Sequence, residues 1–346
     1  MRRCSERDRQ PGRRRRDPGP EGDRGSGRDS PFGRWTPPSH DNPFGERRRR
    51  RPPRDPFAAP GASSATARGG GRAGRSSSRR GQRPLRLAVC LEIAGEGTVA
   101  HLPELPGCTF RAGNAVQVLR VAREHVVDYA RWCLDEGIGD LTPQVAAVTR
   151  RVADGAIADL EAVEAERRDG APLWLSGQPA CLFRSDYEAL ADDAVRAHAR
   201  FMRAVARRMR MRVASLTPSQ RAWKPAPDRR SIDETLWHLL AMIDWLDSRL
   251  DASVPSGDDR KPSDDDRVVS DDDGPALALD GAVDKAERFL LAVPVDARRV
   301  VYQPRHAPGV DPTERWTHGK VCRRQAEHLW EHLVGLPRAI RAAAEA

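Results

Sequence analysis

Residues 85–93, LRLAVCLEI, alternate between apolar and polar positions, as a half-buried β-strand does. Gly95-Glu96-Gly97 then supplies a tight turn, and TVAHLPEL continues as a second strand, so the pattern predicts a hairpin closed by Pro106-Gly107. From 114 to 137 the period changes. Val116, Leu119, Val126, Tyr129, Ala130 and Cys133 recur at helical spacing, with Asn114 at the N-cap and Gly137 near the C-cap. Strand, strand, helix is the order of a small α+β module. Residues 141–185 carry a weaker pattern, in which APLWLSGQPACLF reads as one or two strands completing that module.

Beyond Asp186 the periodicity is helical. A stretch without Gly or Pro predicts a helix over 187–216, and TPSQRAWKPAPDRR ends it with three prolines. The run 231–250 opens on a capping box, Ser231 with Glu234, and its apolar residues Ile232, Leu236, Leu239, Leu240, Ile243, Leu246 and Leu250 step by threes and fours. Residues 251–274 have nine Asp against three basic residues and no period, which predicts an exposed, disordered acidic loop. Further helices are predicted over 275–293 and 317–341. Four helices, each with one apolar stripe, can enclose one core, and a single long connection between the second and third suggests an up-down-down-up bundle.

Charge divides the chain in the same way. The net charge is +9 over 346 residues, but residues 1–80 hold 22 Arg and 9 acidic residues, while the remainder holds 37 bases and 41 acids. The basic character therefore belongs to an Arg/Pro/Gly/Ser-rich tail, residues 1–84, too poor in apolar groups to offset its chain entropy and expected to be disordered. Nucleic acid is an expected partner only non-specifically, through that tail. The chain start lacks the apolar run of a signal peptide and no stretch is apolar enough for a membrane helix, so a cytoplasmic protein without membrane attachment is expected. Six scattered cysteines without a CxxC read as reduced thiols, with Cys108 a packed turn residue.

Candidate chemistry lies in the histidines. His328 and His332 are four apart in AEHLWEHLVG, on one helical face, and His238 lies midway along the 231–250 helix among apolar neighbours. If the two helices face each other, these three form a facial triad. Neutral imidazoles suit Zn²⁺ or Ni²⁺, and three protein ligands leave positions for water or substrate; the alternative is three packed histidines. HLWEH also matches the inverted zinc-peptidase motif H-x-x-E-H, but only fourteen residues follow His332, too few to supply that motif's distant carboxylate ligand. Glu234, Asp244, Glu327 and Glu331 read as solvated helix residues, Glu331 alternatively standing behind a ligating histidine, so no general base is assigned. His198 is the one evident candidate for a fourth ligand that would close the site.

Two resemblances bear on these segments. LEIAGEGTVAHLPELPGC followed by a helix, residues 85–137, resembles the HicB-like module, whose specific core here is Pro103 to Cys108. Members are often antitoxins with a separate DNA-binding segment. Nothing after Gly137 reads as one, so the resemblance implies a fold and a protein-binding surface only. Residues 186–343 resemble the DinB/YfiT-like superfamily of four-helix bundles through WKPAP, SIDETLWHLLAMIDWLDSRL and ERWTHGKVCRRQAEHLWEH. That resemblance implies metal ligation by His238, His328 and His332. It further implies a thiol-dependent S-transferase or isomerase acting on a small molecule, with a low-molecular-weight thiol as cosubstrate. Arg230, where relatives have an aromatic residue, and Pro337 are departures from the pattern.

The expected organisation is thus a tail (1–84), a HicB-like α+β module with extension (85–185) and a DinB-like bundle (186–343), with a homodimer allowed. The competing expectation is a non-enzymatic interaction or stress-response protein whose metal is structural. Because the tail is too polar to add core, a chain beginning at Arg83 should melt at almost the same temperature as the whole one. It should also lose most salt-sensitive nucleic-acid binding. A drop of many degrees in calorimetry would show that the tail packs on a domain.

Overall fold

A computed structural model describes residues 83–94, 97–169, 181–250, 274–303 and 314–346. The expected acidic loop, the basic tail and most of APLWLSGQPACLF lie outside these residues. The hairpin forms as patterned: β1 (Leu85–Ala94) pairs antiparallel with β2 (Gly97–His101), Ala94 facing Gly97 across a two-residue connection. Leu87, Val89 and Leu91 point to one face and are buried. Cys90 and Glu92 point to the other and are buried too, so the C-terminal half of β1 is covered on both sides.

β3 (Thr109–Ala112) joins the other edge of β2 through the Leu102–Cys108 turn, in which Leu102 N donates to the Cys108 carbonyl at 3.1 Å. Gly107 in that turn has φ +76°, and a Cβ there would lie 2.1 Å from the Phe201 ring. Glycine is needed for both the backbone and the close approach. Helix α1 (Ala115–Asp135) is capped by Asn114, as expected. Its buried face runs through Val118, Ala122, Val126, Tyr129, Ala130 and Cys133, whereas Val116 is 78% exposed. The expected apolar set was therefore wrong at Val116, which points away from the stripe.

Three elements of the module were not anticipated: β3 is one, and α2 and β4 are the others. Helix α2 (Pro143–Ala153) is capped by Thr142, and β4 (Leu160–Asp169) pairs parallel with β1, giving a four-stranded sheet ordered β3-β2-β1-β4. The sequence of β4, LEAVEAERRD, is charged because it is an edge strand with only Leu160 buried, and an edge strand needs little apolar alternation.

The helical part comprises α3 (Asp192–Val213), short α4 (Pro218–Ala222), α5 (Ile232–Asp247), α6 (Gly274–Ala292) and α7 (His318–Glu345). The helix expected from 187 starts at Asp192, because Arg184–Tyr187 form a separate 3₁₀ turn. The Ser231–Glu234 capping box forms in full, Ser231 N donating to Glu234 at 2.8 Å and Glu234 N to the Ser231 hydroxyl at 3.1 Å. Both α3 and α5 pack against α6 and α7. Arg203 pairs with Asp284 at 2.8 Å and also with Glu287, and Arg210 pairs with Asp280, so partners move back along α6 as α3 advances. From Gln325 to His328 along α7, partners on α5 move back from Asp247 to His238. α7 runs through Pro337, whose missing N–H frees the Leu333 carbonyl; Arg212 donates to that oxygen at 3.1 Å.

α7 is the element on which both parts meet. From Trp316 to Trp330 every residue is buried, bundle helices lying on one side and the module on the other. Trp330 sits among Tyr129, Trp132 and Phe201, its ring centre 4.9 Å from that of Trp132. Its polar side is buried as ion pairs. Arg323 donates through Nε and Nη2 to the two oxygens of Asp186 at 2.9 and 2.8 Å, and through Nη1 to Glu327 at 3.2 Å. Arg324 reaches Glu327 at 2.7 Å, and His101 of β2 lies 2.8 Å from Glu327 and 3.5 Å from Glu92. The expectation of a solvated Glu327 is overturned, since its side chain is only 2% exposed. The module, absent from any reading of α7 alone, covers it.

Removing one member of such a buried network strands its partners without solvent. Arg323→Met should lower unfolding stability by about 3–5 kcal/mol in chemical denaturation, more than the loss of an exposed pair such as Arg86–Glu161. A change below about 1 kcal/mol would mean that the charges are hydrated.

Candidate metal centre

Each histidine of the candidate triad is placed by an apolar helix stripe. His238 lies between Leu236 and Leu239, both buried in the core, and His328 and His332 flank Leu329, likewise buried. Because α5 and α7 pack together, the three rings converge: their centres are 5.2 Å (His238–His328), 5.4 Å (His238–His332) and 4.7 Å (His328–His332) apart. One nitrogen from each lies within 4.8 Å of the others, the arrangement of a group able to hold a metal ion.

The Nε2 atoms of His238 and His328 are 3.1 Å apart. Two nitrogens bound to one tetrahedral Zn²⁺ at its usual bond length would be separated by about 3.3 Å, so the spacing fits a shared cation. His328 Nδ1 is buried without a hydrogen-bond partner, and the nearest acid, Glu331 Oε2, is 3.8 Å away. That carboxylate favours the tautomer with the proton on Nδ1, which leaves the Nε2 lone pair for a ligand. Glu331 accepts in turn from Arg111 of β3 at 3.2 Å. Of the two places expected for it, in solvent or behind a ligating histidine, these contacts give the second.

Electrostatics point the same way. Burial, then the neighbouring His332 and Arg230, pushes His238 down to about 3. Burial and the guanidiniums of Arg230 and Arg111 hold His332 down at about 4, against the opposing pull of Glu331. His328 falls well below the usual histidine range, from burial and the two other rings. At neutral pH all three are unprotonated, the form that ligates.

The remaining sequence candidates sit elsewhere. His198, the expected fourth ligand, is buried on α3 with Nδ1 at 2.9 Å from the Ala194 carbonyl, and it is not in the cluster. Asp244 pairs with Lys285 at 3.0 Å and Glu234 caps α5, so neither faces the triad as a base. Cys108 is a buried turn thiol pushed well above its ordinary pKa by burial, as expected of a structural residue. His125 stacks on Phe110 and His318 is 3.0 Å from the Leu290 carbonyl, whereas His101 belongs to the ion network. His306 lies outside the described residues. Residues that sequence reasoning missed are Arg111 and Arg324, whose charges reach the triad; on the sequence they are ordinary polar positions.

In the unfolded chain these histidines titrate near 6.5, while in the fold His238 and His332 do so at about 3 and about 4. Their burial therefore carries no protonation penalty above pH 6.5, and stability is lost as pH falls from there toward 4, because only the unfolded chain takes up the protons. Denaturation of metal-free protein at pH 7, 6 and 5 should show this loss, and a chain with all three histidines replaced by glutamine should show less of it. Identical slopes would mean that the rings are already solvated.

The geometry accords with comparison to known proteins. Residues 202–334 match the model of one family, described as the DinB superfamily, and this span contains all three histidines. No curated protein and no solved structure matches the chain. The family match does not extend to residues 85–137, so it does not bear on the HicB-like reading of the module. It covers less than half of the 346 residues, and what it establishes is confined to them: the C-terminal part of this chain is DinB-like.

Proposed function

We propose that His238, His328 and His332 bind one divalent metal, Zn²⁺ or Ni²⁺, and that the protein acts on a small molecule as a thiol-dependent S-transferase or isomerase. The observation that carries the reading is the meeting of three unprotonated imidazoles from helices ninety residues apart in sequence, with two Nε2 atoms at 3.1 Å. A metal held there would lower the pKa of a thiol or water and keep a nucleophile available at neutral pH. The protein's own part is to hold the Nε2 lone pairs inward, with Glu331 near His328 Nδ1, on two helices that pack into one core.

The competing reading, a structural metal in an interaction protein, needs a fourth protein ligand. Among the described residues the cluster contains three histidines, and His198 is turned to its own helix. This favours a site with a free position. The proposed organisation keeps the tail (1–84), the HicB-like α+β module (85–185) and the bundle (186–343). The cross-helix pairs support an up-down-down-up course for the bundle, and the β1–β2 hairpin leading through β3 into α1 supports the HicB-like likeness. No described helix is long and apolar enough to cross a membrane, and a cytoplasmic location is part of the proposal.

Purified protein should carry about one metal ion per chain by elemental analysis, and His→Ala at 238, 328 or 332 should each release it. His125→Gln is the suitable control, since His101 holds the ion network. Loaded protein should also speed the reaction of a low-molecular-weight thiol with an electrophile at pH 7, and His328→Ala should not. Metal retained after removal of His238 would reduce the triad to packed histidines.

A further inference from the structure

The strand module meets α7 through a ladder of charges. In the β2–β3 pairing His101 stands opposite Thr109 and Val99 opposite Arg111, so His101, Thr109 and Arg111 lie on one face of the sheet. α7 answers with acids four residues apart: Glu327 is 2.8 Å from His101 Nδ1, and Glu331 accepts from Arg111 Nη2 at 3.2 Å. Four residues of helix advance about 6 Å, and the two residues from Thr109 to Arg111 advance about 6.6 Å. Both contacts therefore form in a single register of the helix on the sheet, and a slide of one turn would break both.

The second rung ends at the three histidines. Glu331 divides its oxygens: Oε1 faces Arg111 at 3.2 Å and Arg324 at 3.9 Å, whereas Oε2 stands 3.8 Å from His328 Nδ1. Arg324 is engaged by Glu327 at 2.7 Å, so Arg111 is the closer cation on this carboxylate. His328 Nδ1 is buried without a hydrogen-bond partner. Once Nε2 is given to a cation, Nδ1 carries the proton of the ring and needs an acceptor. An acceptor behind a ligating imidazole fixes the ring and raises its basicity, and its loss typically costs about 10–100-fold in metal affinity. Glu331 serves only while it faces inward. Its side chain is 17% exposed, so a carboxylate released by Arg111 has solvent open to it.

We infer that the strand module completes the metal centre: Arg111 is a positioning residue that holds Glu331 behind His328, so that metal affinity depends on the seating of β3 against α7. This rests on the metal reading above and adds to it a dependence on residues outside the bundle. Linkage makes the effect reciprocal, so a cation on the triad tightens the β3–α7 contact by the factor that the contact tightens the cation. The bare charge of Arg111 acts the other way, because a guanidinium repels a cation. The two effects of this side chain differ in sign and can be separated.

The test uses full-length protein, with Zn²⁺ affinity measured by competition with a chelating dye at pH 7 and the fold of each metal-free variant checked by thermal melting. Glu331→Gln should weaken Zn²⁺ binding by about tenfold or more. Arg111→Met should weaken it to a similar extent while Glu331 is present. In the Glu331→Gln background the same change should leave affinity unchanged or raise it, since only the repulsion of the guanidinium is then removed. Arg111→Lys keeps a cation on the carboxylate and should recover part of the loss. Hydrogen exchange reads the reciprocal effect: Zn²⁺ should slow exchange of the Thr109–Ala112 amides in wild type and not in Arg111→Met. Equal weakening by Arg111→Met in both backgrounds would make Arg111 merely structural, and unchanged or raised affinity in both would remove it from the site. Either result overturns the inference and leaves the metal of the triad standing. Should Arg111→Met fail to fold, Arg111→Lys takes its place in the cycle with the same signs expected. A wild type that takes up no Zn²⁺ overturns the metal reading itself, and this inference with it.

Discussion

Arg323 lies between Asp186 and Glu327 in a space almost without water, and the way the strand module meets the helices is constrained by that fact. A charge in such a place is tolerable only if every partner is present and well aimed. Asp186 comes from the 3₁₀ turn that leads into α3, Glu327 from α7 itself, and His101, which shares Glu327, from β2. The network therefore joins the strand module to the bundle at one spot. A displacement of the module relative to α7 would uncover several charges together. Apolar packing around Trp330 supplies the bulk of the contact, but it is non-directional, whereas the ion pairs select one orientation.

The same helix carries two of the three histidines, with Glu327 directly before His328. Rigidity at the network is thus rigidity at the site, because a helix held on both sides from Trp316 to Trp330 has little freedom to move its next turn. The module also contributes charge. Arg111 of β3 reaches Glu331, and this carboxylate stands beside His328 Nδ1. A DinB-like bundle alone would lack that contact. The resulting site has three neutral imidazoles and, beside them, one carboxylate already paired with arginine.

Sequence and structure agree where the physics is local. The β1–β2 hairpin, the Asn114 cap, the Ser231–Glu234 capping box and the apolar steps of α5 depend on residues within a few positions of one another. The period of apolar residues is enough to place them. The triad was legible for a related reason: His328 and His332 share a face by spacing, and His238 stands out as an imidazole amid leucines. Only the meeting of the two helices was beyond the pattern.

What tertiary structure alone decided were the elements and contacts whose stability comes from elsewhere in the chain. β4 is charged at six of its ten positions and is a strand because β1 offers it an unpaired edge some seventy residues earlier. Val116 has the right spacing to be buried and is exposed, since the stripe covered by the sheet begins at Val118. Glu327 and Arg323 look like a solvated i,i+4 pair on an amphipathic helix, and a helix read by itself must present its polar face to water. Here the polar face is roofed by the module, and Asp186 and His101, remote in sequence, turn it into the interior. The residues by themselves determined which side chains could ligate a metal; the burial that keeps those imidazoles neutral, and the Arg111–Glu331 pair that stands beside His328, required the folded chain, because desolvation and charge pairing are properties of what surrounds a group.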